Sequence, residues 1–282
     1  MAAPPRVTTE LLPATQSSAS YLVVFEDVAL AFEGTPVLQG ISFHLAKGET
    51  KAIFGVAGSG KSTILKLTLG LLKPDAGHIY VLGEDITKRK EEDLFELRRR
   101  IGMVFQESAL FDSLTVRENV AFRLLEEANV TEEEVDQPVR EALSFVELEN
   151  TVDMFPSELS GGMRRRVAIA RAMITHPELM LYDSPTGGLD PVTATTIVEL
   201  IIKQRDVFKT SSLLVTHRLQ DAFIMATHYF DRRSNRMQPL PPGTRSDLPM
   251  GFLILRDGKI IFDGGIGELV HTQDEYIREY IS

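Results

Sequence analysis

The chain has 282 residues, 43% of them hydrophobic, enough for one large domain or two small ones around a substantial buried core. Thirty basic residues against forty acidic ones give a net charge of −10, the opposite of the broad basic footprint of a nucleic-acid binder, so any anion site must be local. Cysteine is absent, which excludes disulfides and thiolate metal sites and fits a reducing compartment.

Residues 1–20, rich in Pro, Ala, Ser and Thr, read as a flexible tail. They lack the basic region and apolar run of a signal peptide. No later segment approaches the ~20 apolar residues that span a bilayer, so the sequence predicts a soluble chain whose membrane role requires a partner. Strands are predicted at YLVVFEDVAL, ISFHLA and ETKAIF, the last entering a glycine loop and the helix KSTILKLTLGLL. A turn at KPDAG leads to the strand GHIYVL, then a charged helix EEDLFELRRR and the strand IGMVF. From Leu114 to about Glu149 the pattern is helical, with a capping box at Thr131 and Glu134 and Pro138 opening a second helix, VREALSFVEL. Strands return at LMLY and SLLVTH, separated by the helix PVTATTIVELIIKQR. Residues 232–250, with three prolines within four positions, read as a surface loop, and FLILRDGKIIF as a hairpin turning at Asp257-Gly258. The whole is an α/β core interrupted by a helical insertion of about residues 107–175.

The first chemical signal is GVAGSGKS. Gly55, Val56, Ala57, Gly58, Ser59, Gly60, Lys61 and Ser62 fit G-x-x-x-x-G-K-[ST] between a strand and a helix, as a phosphate-binding loop requires. Such glycines let backbone amides converge on phosphate oxygens, and the helix start, including Thr63, adds its positive dipole end. Lys61 is placed to reach β- and γ-phosphates and Ser62 to ligate magnesium. The alternative, a chance glycine-rich turn, fits poorly with LMLYD downstream, where Asp183 ends an apolar strand. The second signal is LSGGM followed by RRRVAIARAM: Ser160, Gly161 and Gly162 form another anion-binding helix start. One γ-phosphate needs only one cradle. Two cradles in one chain make sense if two copies sandwich two nucleotides, each held by the loop of one copy and the LSGG of the other. The arginine runs 98–100 and 164–166 read as solvated helix faces.

At these residues the sequence resembles the ATP-binding cassette (ABC) family over nearly the whole span from Tyr21 to Leu269. The resemblance implies a P-loop NTPase ABC cassette spanning residues 21–282, with a RecA-like core, an antiparallel β subdomain and the helical insertion. It also implies roles. Phe32 matches the aromatic that stacks on adenine, the alternative being a core phenylalanine. Gln106 matches the glutamine that contacts magnesium and senses the membrane partner, and Asp183 the aspartate of the magnesium site. Asp190 matches the aspartate of the loop linking the two sites of the dimer, and His217 the histidine facing the γ-phosphate. ATP and Mg2+ are the implied cofactors.

ESALFDSLTVRENVAF and FPSELSGGMRRRVAIARA are similar to the cassette subunit of Mla/Mce-type phospholipid transporters. That similarity implies a dimer working with transmembrane permease subunits, a lipid-binding Mce-type protein and a small regulatory subunit. The complex would lie on the cytoplasmic face of the inner (plasma) membrane. Leu110 and Phe111 could line a groove for a short partner helix or pack under the helical insertion.

One residue departs from the family pattern, which has glutamate where Ser184 stands. A serine hydroxyl can hold water by hydrogen bonds but cannot act as a base near neutral pH. General-base assistance is worth ~10²–10⁴-fold. Positioning and electrostatics supply most of phosphoryl-transfer catalysis, and the groups that supply them are kept. The expectation is slow hydrolysis, with His217 orienting water or the γ-phosphate itself accepting the proton. Two other readings stay open: an ATP-gated clamp that scarcely hydrolyses, and service to another process, such as solute import or a non-transport role in repair or translation. The lack of a tandem cassette or coiled-coil insertion argues against the non-transport role.

Overall fold

A computed structural model describes residues 21–127, 130–131, 133–241 and 248–281. In chain order, β1 (Tyr21–Phe32) and β2 (Thr35–Ala46) form a hairpin, β3 (Thr50–Gly55) leads into α1 (Lys61–Thr68), and β4 (Ala76–Val81) and β5 (Glu84–Asp85) precede α2 (Phe95–Arg99) and β6 (Ile101–Val104). Three helices follow, α3 (Val116–Glu127), α4 (Asp136–Phe145) and α5 (Gly161–Met173), before β7 (Leu179–Asp183), α6 (Pro191–Phe208), β8 (Ser211–Val215) and α7 (Leu219–Thr227). The chain continues through β9 (His228–Asp231), β10 (Arg236–Pro239), β11 (Met250–Arg256), β12 (Lys259–Gly265), α8 (Ile266–Val270) and α9 (Glu275–Ile281).

The core sheet has the order β12-β11-β3-β8-β7-β6. Its last five strands are parallel and β12 is an antiparallel edge. Both faces of this sheet are covered, so β3 and β8 are buried at every position and β7 at all but its last. The period of two then sorts side chains between two cores. Phe54, Leu214, Tyr182, Phe252 and Ile254 point into the core shared with α5, α6 and the helical insertion. Ile53, Leu213, Val215, Leu181 and Leu253 point the other way, toward α1 and the antiparallel sheet β2-β1-β4-β5. Each such side chain contributes roughly 1.5–3 kcal/mol of transfer free energy. The glycine loop is thus clamped between two hydrophobic layers at the carboxyl end of a central strand, where ligands of open parallel sheets bind.

Several boundaries differ from the sequence reading, each for a local reason. The charged helix at 91–100 is a 3-10 turn, Glu91–Leu94, followed by a short α2. The Thr131–Glu134 box forms both reciprocal bonds, Thr131 N to Glu134 Oε2 at 2.7 Å and Glu134 N to Thr131 Oγ1 at 3.4 Å, but it closes a turn just before α4. Pro138 lies within the first turn of α4, where an N–H would have no helical partner anyway. The largest correction concerns 232–250. Residues 236–239 form β10, paired antiparallel with β9 from Arg236↔Asp231 to Pro239↔His228. Pro239 sits at the strand end, where a missing donor is tolerated, and Met237 N donates to Glu199 Oε1 of α6 at 2.9 Å. Residues 1–20 and 242–247 lie outside the described residues.

Candidate functional site

Gly55 leaves β3 with φ 149°, and a Cβ there would collide with the Leu255 carbonyl of the neighbouring strand, so only glycine fits the exit. Val56, Ala57 and Gly58 form an exposed crown, while Ser59, Gly60 and Lys61 are buried beneath it. Gly60, with φ 97°, caps α1 without a side chain, so nothing on the cap residue occupies the first-turn amides of Lys61, Ser62 and Thr63. Those amides and the helix dipole are an anion cradle. Lys61 Nζ donates to Gly55 O and Val56 O, both at 2.8 Å, within the same loop. Burial pushes its pKa down, and Asp183 pulls it back up.

The other groups arrive from neighbouring strand ends. Ser62 Oγ donates to Asp183 Oδ1 at 3.1 Å, joining the start of α1 to the end of β7. One hydroxyl and one carboxylate suit Mg2+, which keeps waters and shares phosphate oxygens rather than filling an all-protein cage. Accordingly, no cluster of three or more His, Asp or Glu side chains able to hold a metal occurs among the described residues. Gln106, exposed just after β6, has its Cγ 3.9 Å from where a Cβ on Gly187 would lie, which places it beside the loop that follows β7. His217 follows β8. Partial burial holds its imidazole below the ordinary histidine value, Lys61 pushes in the same direction and Asp183 opposes.

Ser184 is buried and has φ 47°, the left-handed region that serine adopts only when its surroundings fix it. Three hydrogen bonds do so: its N–H donates to Val215 O at 2.8 Å, its carbonyl accepts from Gly187 N at 2.9 Å, and the same carbonyl accepts from Arg165 Nη1 at 3.1 Å. Arg165 also reaches Phe105 O and Gly187 O, each at 3.5 Å. The arginine runs are therefore only partly solvated, and the buried exception in the second run is Arg165. Arg165 is 5% exposed and its Nε has no partner, Arg166 donates to Val146 O at 3.0 Å, and Arg98 Nε donates to Leu69 O at 2.9 Å. The role of Arg165 was missed in the sequence although a signal existed: Gly162, Arg165, Ile169 and Ala172 are spaced by three or four and share the buried side of α5.

Ser160, Gly161 and Gly162 open α5, where Ser160 Oγ accepts from Met163 N at 3.2 Å. A Cβ on Gly162 would collide with Thr193, so α5 and α6 meet closely at their N-termini. Asp190 caps α6, accepting from Val192 N and Thr193 N at 3.1 Å, and hydrogen bonds from Thr193 hold its carboxyl below the ordinary value. Ser160, Gly161, Gly162 and Asp190 are thus neighbours of one another, and no hydrogen bond among the described residues ties them to the P-loop. Phe32, at the end of β1, is 47% exposed and belongs to neither core. Phe111 is 43% exposed with its ring 4.6 Å from Phe122, while Leu110 packs partly against the core.

Comparison with known proteins places this arrangement. The sequence profile of the ABC transporter family matches residues 38–187. The chain is 36% identical over 277 residues to Protein TRIGALACTOSYLDIACYLGLYCEROL 3, chloroplastic, of Arabidopsis thaliana, covering 94% of this chain and 74% of that protein. It is 32% identical over 245 residues to the intermembrane phospholipid transport system ATP-binding protein MlaF of Haemophilus influenzae, covering 87% and 84%. It is also 38% identical over 202 residues to the methionine import ATP-binding protein MetN 1 of Bacillus thuringiensis, covering 70% and 59%. Among solved structures, the dimeric post-hydrolysis state of the ATP-binding cassette MJ0796, bound to ADP and Pi, superposes with a TM-score of 0.71 at 28% identity, covering 86% of this chain and 98% of that one. The two sheets, the P-loop and these relatives agree, and the chain belongs to the ABC transporter family, as its ATP-binding cassette subunit.

Proposed function

We propose that this chain binds and hydrolyses ATP as one half of a nucleotide-sandwich dimer that drives a membrane permease for phospholipid, and that Ser184 makes the hydrolytic step slow. The observation that carries the reading is the meeting of Lys61, Ser62 and Asp183 at the carboxyl ends of the parallel strands β3 and β7, which flank β8. In this reading the P-loop amides and Lys61 hold the β- and γ-phosphates, and Phe32 stacks on the adenine. Ser62, Asp183 and Gln106 would hold magnesium, whose charge neutralises the phosphate oxygens in transfer. His217, kept neutral by its surroundings, orients the attacking water or the γ-phosphate. Ser160, Gly161 and Gly162 serve the nucleotide of the second copy, and Asp190, as the α6 cap, fixes the loop between the two sites. The reported dimer of MJ0796 supports the sandwich.

Phospholipid as cargo is supported by the likeness to MlaF and by ALFDSLTV, and it carries with it an Mce-type lipid-binding protein and a small regulatory subunit as partners. No helix among the described residues is long and apolar enough to cross a membrane, so the reading needs separate permease subunits, with this chain peripheral on the cytoplasmic face. The likeness to MetN favours a second reading, the cassette of a solute importer. Reconstitution with candidate permease subunits decides between them. ATP-dependent transfer of fluorescent phospholipid between vesicles, lost in Lys61→Ala, supports lipid transport. ATPase activity stimulated by a soluble solute and its binding protein, with no lipid transfer, overturns it.

A further inference from the structure

The last helix of the chain reaches back to the first residue of the P-loop. The Gly55 N–H donates to the Tyr280 hydroxyl at 3.2 Å. The carbonyl of the same residue accepts from Lys61 Nζ at 2.8 Å. Both polar groups of Gly55 are thereby committed, one to the lysine of the loop and one to α9. Gly55 has little freedom to drift from this contact, because it is buried, holds φ 149° and lies against the Leu255 carbonyl and the Ser59 hydroxyl.

The helix that carries Tyr280 is itself anchored beside the loop. Ile277 is buried in the core, and the Arg256 guanidinium lies 4.1 Å from the Tyr276 ring centroid, a cation–π contact. The turn that follows Arg256 is in turn tied to β2, with Gln39 N donating to Gly258 O at 2.8 Å. Burial pushes the Tyr280 phenol up, so it is a neutral hydroxyl at physiological pH and accepts the amide proton without bringing negative charge toward a phosphate site. Arg256, Gly258, Tyr276, Ile277 and Tyr280 all lie outside 38–187, the stretch matched to the family.

We propose that Tyr280 is a positioning residue for the nucleotide: by fixing Gly55 it holds the P-loop in its convergent form, so the docking of α9 sets the affinity of the site for ATP. The proposal rests on the nucleotide reading of the P-loop. Its physical basis is pre-organisation. A loop already held in its binding form loses less conformational freedom when the ligand arrives. Removing the hydroxyl also leaves the Gly55 amide in a buried position without its partner. The effect belongs to binding, because Tyr280 touches the start of the loop and not Asp183, Ser184 or His217.

The test compares full-length wild type, Tyr280→Phe and Lys61→Ala by titration with a fluorescent methylanthraniloyl ATP in the presence of Mg2+, and by steady-state ATPase assays. Tyr280→Phe keeps the ring and its packing. It should weaken Kd and raise KM by about two- to tenfold, the worth of one neutral hydrogen bond. Maximal turnover should stay within about twofold, since nothing made only in the transition state is lost. A purely structural role for the hydroxyl would lower the melting temperature and leave Kd alone. Unchanged or tighter binding in Tyr280→Phe overturns the proposal. If Lys61→Ala binds as tightly as wild type, the nucleotide reading of the loop fails, and the proposal fails with it for that separate reason.

Discussion

The Arg165 guanidinium donates to the Ser184 carbonyl at 3.1 Å, from α5 to the loop that follows β7. Through 3.5 Å contacts with Phe105 O and Gly187 O it also touches the residue before Gln106 and the loop before Asp190. A helix read as serving the partner's nucleotide is therefore braced against the catalytic loops of its own site by one buried side chain.

Replacing it should separate catalysis from binding. Arg165→Met keeps the length of the side chain and removes the donors, leaving the Ser184 carbonyl short of a partner. The expected cost is about 1–3 kcal/mol in a denaturant titration. Maximal turnover should fall by roughly 10- to 100-fold, because a small displacement of catalytic groups is costly. ATP affinity, set by Lys61 and the P-loop, should change by less than about twofold. Stability, turnover and Kd measured on one preparation check all three, and an equal loss of affinity would assign Arg165 to the binding site instead.

The acidity of His217 gives a prediction with a sign. Burial and Lys61 favour the neutral imidazole and Asp183 opposes them less strongly, so the free protein releases the proton below the ordinary 6.5. If neutral His217 is the working form, kcat/KM, which reports the free enzyme, stays flat as pH falls toward 6.5 and drops only below it. Bound phosphates act the other way, favouring the cation, so the acid limb of kcat should lie at higher pH than that of kcat/KM. A pH–rate profile locates both limbs, and both should vanish in His217→Ala. Persistence of the acid limbs in that variant would move the titration to another group.

The sandwich predicts a mass change. ATP with Mg2+ should convert monomer to dimer, most visibly in a slowly hydrolysing background, because each site is completed by Ser160, Gly161 and Gly162 of the second copy. Gly162→Val should abolish the change while leaving binding to the P-loop intact, although the crowding of Gly162 against Thr193 means its folding must be checked by circular dichroism. Light scattering with and without nucleotide, with the permease present as well, reads the outcome. A monomer under every condition contradicts the shared site.

Much of this site was legible as spacing, because its chemistry depends on residue types at fixed offsets. G-x-x-x-x-G-K-S needs no tertiary information to mark a phosphate loop, and Asp183 follows from an apolar run too short for anything but a buried strand. The hairpin at Asp257-Gly258 was readable for a similar reason, both residues having positive φ, 50° and 72°, as the dipeptide implies. What escaped depends on which face of an element meets which neighbour. Three successive arginines read as charge, yet the turn of α5 buries the middle one. Tyr280 lies 225 positions from Gly55, and no local pattern announces the contact. β10 was hidden by the proline at its end and those just after it, because composition shows what a segment disfavours and not that α6 offers a docking carboxylate at Glu199.

The most direct measurement replaces Ser184 itself. Its backbone is held by Val215, Gly187 and Arg165 whatever side chain it bears, so Ser184→Glu should deliver a carboxylate without remodelling the loop. In the reconstituted transporter, maximal ATP turnover should rise by up to the ~10²–10⁴ range of general-base catalysis, with half-saturating ATP little changed. Tighter nucleotide binding could not imitate this, since it would move the half-saturating concentration and not the maximal rate. An unchanged or lower maximal rate in a folded, ATP-binding Ser184→Glu protein would contradict the claim that the serine limits hydrolysis, and would place the slow step in another base or in a conformational change.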